Sequence, residues 1–135
     1  MKSVIVLCLL ISSSFSFAAD KACKDSVADW LNPALSVEKK SSIIKDFCSS
    51  FKGNPKAIRA CLNSAYTWNS SSDVNHKYKI AQLTCSEVTR PLFGGEDRLS
   101  RLVRACLQEQ WDKHSYIFDE DERRVNAASI CSYLI

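Results

Sequence analysis

The sequence predicts an all-α fold: three tandem antiparallel helical hairpins, six helices in all, each hairpin closed by one disulfide and the three stacked as a small array. Three observations carry that expectation. The cysteines repeat: Cys23, Cys61 and Cys106 each follow an alanine, Cys48, Cys85 and Cys131 each precede a serine, and the spacings are C-x24-C, C-x23-C and C-x24-C. Apolar residues recur at three- and four-residue steps, as a helix with one buried stripe requires. The three Gly and three Pro fall between these stretches, where helix-breaking costs nothing. No useful length alternates with period two, so strands are not expected.

The first element is an export signal. Residues 1–18 read MKSVIVLCLLISSSFSFA, with Lys2 at the start, an apolar run from Val4 to Ile11 and a small-x-small site at Ser16-Phe17-Ala18. This pattern predicts a signal peptide cut after Ala18. The apolar run falls far short of the roughly 20 residues a spanning helix needs, and no later segment is long and apolar enough to span a bilayer. Cleavage removes Cys8 and leaves six cysteines in residues 19–135. An even count in an exported chain predicts a disulfide framework, secreted or periplasmic, in one domain.

The first hairpin is expected over residues 20–51. Asn32-Pro33 makes its turn, Ser36 caps its second helix, and Ile43, Ile44, Phe47, Cys48 and Phe51 form the stripe. The second, residues 54–89, opens on Asn54-Pro55, a cap with a first-turn proline. Ile58, Cys61, Leu62, Ala65 and Tyr66 form its stripe, Asn69-Ser70-Ser71-Ser72 its turn and Asp73 its second cap. The third, residues 96–134, follows a longer link containing Pro91, Gly94 and Gly95. Its stripe is Leu99, Leu102, Val103, Cys106 and Leu107, and Asp119-x-x-Glu122 reads as a capping box. Trp30 and Trp68 stand seven residues after the opening cysteine, and Trp111 five after its own. Self-similarity at this period marks a repeat protein.

Six cysteines allow 15 pairings. In an antiparallel hairpin, residues equidistant from the turn face each other. The midpoints of Cys23 and Cys48, of Cys61 and Cys85, and of Cys106 and Cys131 fall near Leu35, at Asp73 and near Phe118, each at an independently expected turn. The expected bridges are therefore Cys23–Cys48, Cys61–Cys85 and Cys106–Cys131. A loop of this size gives roughly 3.5 kcal/mol per bridge in the chain-entropy model. Bridges between neighbouring hairpins, such as Cys48–Cys61, carry nearly the same entropy, so geometry alone argues against them.

The stretch Phe47–Leu62, FCSSFKGNPKAIRACL, resembles the cysteine-rich repeat of Golgi-type sialoglycoproteins and of small exported bacterial proteins. The shared features are Phe-Cys, a turn containing Gly, and a basic residue shortly before Ala-Cys-Leu. That family places its next cysteine much sooner than Cys85 follows Cys61, and carries another soon after the position of ACKDSV. The resemblance implies a helical, exported, disulfide-linked repeat protein, and no catalytic residue.

Little in the chain points to chemistry. With every mature cysteine assigned to a bridge, no thiol nucleophile remains. His76 and His114 are the only histidines and have no ligand spacing between them, so no metal or other cofactor is expected. Asp119-Glu120-Asp121-Glu122 lacks the spaced ligands and glycine of a calcium loop and suits the positive end of a helix dipole. The formal charge of +3 drops by one when Lys2 leaves, and no basic block could track nucleic acid. Arg98, Arg101 and Arg104 step along the fifth helix as a solvated face or an acidic partner's contact. Tyr116-Ile117-Phe118, in the third turn, is either a lid folded onto the array or a contact patch, and Leu92-Phe93 in the long link raises the same question. Asn69-Ser70-Ser71 is a glycosylation sequon in an expected exposed loop.

The expected function is that of an exported binding module without catalytic activity, its partner another protein. Leu92, Phe93, Arg98, Arg101, Tyr116, Ile117 and Phe118 are its candidate contact residues. The alternative is a carrier of a small hydrophobe or lipid in a cavity between the helices.

Overall fold

The structure, a computed structural model, describes residues 18–89 and 94–135. The export signal therefore lies outside the described residues, apart from Ala18, as do Leu92 and Phe93. Among the described residues there are six helices and no strand: α1 over residues 18–30, α2 Val37–Ser50, α3 Ile58–Trp68, α4 Val74–Cys85, α5 Gly95–Lys113 and α6 Glu120–Leu134.

Each hairpin closes on its own disulfide. Cys23–Cys48, Cys61–Cys85 and Cys106–Cys131 have Cα separations of 5.9, 5.9 and 6.0 Å, inside the range a bridge spans without moving the backbone. The second helix of every hairpin is capped twelve residues before its cysteine. Ser36 Oγ accepts from Lys39 N, Asp73 Oδ1 from Asn75 N and His76 N, and Asp119 Oδ1 from Glu122 N. Each cap satisfies an otherwise orphaned first-turn donor.

Two starts differ from expectation. Asn54 heads a turn, accepting from Lys56 N at 3.1 Å through its side chain, and α3 begins only at Ile58. Those residues tie the start of the second hairpin to its own end: Asn54 N donates to Val88 O at 2.7 Å. This close approach explains Gly53, where a Cβ would lie 2.1 Å from the Val88 carbonyl oxygen. Gly95 falls inside α5 as its first residue rather than in the link. Gly94 and Gly95 have φ of +87° and +81°, which glycine adopts without the Cβ penalty.

The second and third hairpins stack with each helix beside its counterpart. α3 packs on α4 and α5, while α6 packs on α5 and α4. Val27, Ile58, Leu62, Ile80, Val103 and Leu107 are all fully buried in one continuous core. The first hairpin joins it through Trp30, whose ring meets Tyr66 at 6.0 Å and Tyr78 at 5.2 Å, both edge to face.

Counting from the opening cysteine shows how stacking is encoded. Positions −4, −1, +3 and +7 read Ala19, Ala22, Ser26, Trp30 in α1 and Ala57, Ala60, Ser64, Trp68 in α3. Small residues let the next hairpin approach, and the tryptophan then crosses to the aromatic at +5 of that hairpin: Trp30 to Tyr66, and Trp68 to Trp111 at 6.1 Å and 76°. In α5 the same positions are Leu102, Ala105, Glu109 and Lys113, all exposed, with Glu109 and Lys113 paired to each other. At the other end, the outer side of α1 carries the ion pairs Lys24–Asp20 and Lys21–Asp25. Polar outer faces on the terminal units stop a repeat array from growing.

Candidate functional site

A cluster of polar and aromatic side chains lies at the turn end of the second and third hairpins. Trp68 closes α3 and Trp111 lies near the end of α5. Their contact is fixed by Trp68 Nε1, which donates to Gln108 Oε1 at 3.2 Å. α6 supplies two arginines. Arg123 lies over the Trp111 ring with its Cζ 3.9 Å from the centroid, and its Nε and Nη2 both donate to the Trp111 carbonyl oxygen. Arg124 is buried. It donates to Asp121 and Glu120 at 3.1 Å each and reaches Ser70 Oγ at 3.5 Å. A cation over an indole face is attractive, and a buried guanidinium is tolerable only when paired in this way.

Two concavities border this cluster. A cleft of about 130 Å3 is lined by Trp68, Ser70, Gln108, Trp111 and Arg124. A wider open depression of about 580 Å3 lies between Ser70–Ser72 and Asp119–Asp121, with Arg124 at its base. His76 borders the same region: its Nε2 is buried, has no hydrogen bond and lies 3.4 Å from Asp121 Oδ1. His114 Nδ1 is 2.7 Å from the Gln110 carbonyl oxygen, closing the end of α5.

The third turn projects beyond these groups. Phe118 is 96% exposed and Tyr116 69%, while Ile117 is half-buried. Tyr116 and Phe118 therefore do not fold onto the array as a lid. The turn is held by Ile117 N donating to His114 O at 3.0 Å and by ring contact between His114 and Tyr116 at 5.6 Å.

Among the described residues, the candidates Arg98 and Arg101 lie apart from the third turn. Arg98 and Arg101 are exposed near the start of α5, and at 1.5 Å per residue Arg98 stands about 22 Å along the axis from the end of that helix. Arg104, the third of the stripe, donates to Thr67 Oγ1 at 2.7 Å and so ties α5 to α3. The sequon is also corrected. Asn69, the residue that follows α3, is only 1% exposed, and its Oδ1 accepts from Ser71 N in an Asx turn.

Sequence reasoning missed Arg123 and Arg124 as partners of Trp111. The repeat register carried the signal: they stand eight and seven residues before Cys131, as Lys77 and Tyr78 do before Cys85. Lys77 lies over Tyr66 with its Nζ 4.5 Å from the centroid. Among the described residues no group of three or more His, Cys, Asp or Glu is placed to hold a metal ion, and no helix is long and apolar enough to cross a membrane. No family model, curated protein or solved structure matches the chain.

Proposed function

We propose that the protein is an exported interaction module: a disulfide-stapled helical stem that presents the tip of its third hairpin to another protein. The observation that carries this reading is the exposure of Phe118 and Tyr116 on a turn fixed by backbone hydrogen bonds. Large aromatics are costly to leave in water, and a preorganised turn binds without ordering cost. Three disulfides favour an oxidising compartment, which agrees with the export signal read at residues 1–18. The wider concavity beside the tip is open and bordered largely by hydroxyls and carboxylates, a lining suited to contact rather than to carriage of a lipid.

The test compares oxidised mature protein with a Tyr116→Ser, Phe118→Ser double variant in a pull-down from the native compartment. The expected result is one stoichiometric partner that the variant loses while its melting temperature is unchanged. Equal recovery by both would overturn the reading. Lipid found on the purified wild type by native mass spectrometry would favour the carrier instead.

A further inference from the structure

We infer that the tip is a plug with an acidic collar, shaped for an apolar pocket rimmed by basic residues on the partner protein. This rests on the interaction reading and adds the partner's chemistry.

The three tips differ in what they show to solvent. The first hides Leu31 and half-buries Leu35. The second is Asn69–Asp73, polar throughout. Only the third exposes aromatic rings. Phe118 precedes the Asp119 cap, the place from which an apolar residue ordinarily staples onto the fourth residue of the helix. That fourth residue is Arg123, and its guanidinium is committed to Trp111. The local sequence thus denies Phe118 its usual intramolecular contact and leaves the ring 96% exposed.

Charge around the ring has one dominant sign. Asp119, Glu120, Asp121 and Glu122 follow Phe118 directly, and Asp112 stands exposed in the last turn of α5; of the cations nearby, Lys113 is paired with Glu109 and Arg123 lies over Trp111. Arg124 answers Glu120 and Asp121 from beneath, because it is buried, so the outward rim stays acidic on a chain whose formal charge is +3. An acidic rim steers a basic partner toward the tip and repels acidic ones. It also repels anionic lipid headgroups, which attract basic segments. These charges favour a protein pocket over a membrane surface.

The experiment places a photo-reactive benzoylphenylalanine at position 116 of the full chain in cells that make it. Each cross-linked protein is then purified and its binding to the unlabelled oxidised protein measured. Expected is a partner whose affinity falls at least tenfold with Phe118→Ser, and whose association slows about tenfold with Glu122→Lys or on raising salt from 50 to 500 mM. A partner lost with Phe118→Ser but indifferent to Glu122→Lys and to salt overturns the basic rim and leaves the interaction reading standing. Binding that survives Phe118→Ser, or no cross-link at all, overturns both. Phenylalanine-dependent binding to phosphatidylcholine vesicles overturns the protein pocket in favour of a membrane.

Discussion

The first and second hairpins meet at an aromatic corner, whereas the second and third meet around an arginine. The positions are equivalent. At the first junction Trp30 crosses to Tyr66, and Tyr78 accepts a hydrogen bond at its hydroxyl from Asn32 N at 3.3 Å. At the second, Trp68 crosses to Trp111, and Arg124 stands where Tyr78 stood and reaches Ser70, the counterpart of Asn32 nine residues after the cysteine. One slot accepts a neutral ring or a cation because both are flat and can bond the preceding turn. The arginine brings a further consequence: it must be neutralised, and the acids that neutralise it are those beside the exposed tip. The second junction thus couples packing to the surface charge of the candidate site, and the first does not.

The largest effect expected is from opening a staple. Replacing Cys61 and Cys85 together by alanine should lower stability by roughly 3.5 kcal/mol and loosen both junctions, because this hairpin lies in the middle of the stack. Denaturant titration measures it, and peptide mapping without reductant confirms the remaining bridges. If the loss were below about 1 kcal/mol, the hairpins would not depend on their own bridges.

Trp68→Ala should cost about 3 kcal/mol and Trp30→Ala a similar amount if the junctions are equivalent. A large inequality in calorimetric unfolding would break the comparison. Gly53→Ala should cost about 1–3 kcal/mol by overpacking, because its Cβ would meet backbone, the Val88 carbonyl, rather than a side chain that can swing aside.

Arg124→Tyr tests the shared slot directly. Replacing a buried ion pair by a well-packed neutral group is often close to neutral, and Glu120 and Asp121 lie mostly in solvent, so the expected change is under about 1 kcal/mol. Arg124→Ala, which empties the slot, should cost more. Equal melting temperatures for the two variants would show that the slot carries no packing energy.

The smallest effect concerns pH. Burial, followed by repulsion from Tyr78, raises the Tyr66 phenol above its ordinary 10.0. The folded state therefore holds this proton more tightly than the unfolded chain does. The stability it contributes is complete below pH 10 and falls as pH rises past the folded value. Ultraviolet titration should show a late tyrosine component that Tyr66→Phe removes, and the stability of that variant should decline less above pH 10. No counterpart exists at the second junction, where Trp111 cannot ionise.

Much of the architecture was legible in the residues. The cysteine spacing, the caps at Ser36, Asp73 and Asp119 and the turns midway between cysteines are local or nearly local features, and the bridges followed from them. The stacking code was also present, in Ala57, Ala60, Ser64 and Trp68 and their α1 counterparts. It became readable only when the structure showed which face of each helix met the next, since a helix with small residues on one side and leucines on another does not declare its neighbour. The site was less legible. Tyr116, Ile117 and Phe118 were identified as a lid or a contact, and nothing local decides between those. Asn69 looks exposed because its loop is polar, yet the folded chain buries it.

The sequence by itself determined where the second helix of each hairpin begins, where the chain turns back and which sulfurs close each hairpin, because caps, breakers and helical period act over a few residues. Only the tertiary structure decided that Arg124 is buried and neutralised, that Asn69 is hidden and that Phe118 faces water. Burial depends on what stacks from far along the chain, and no short window contains both sides of that contact.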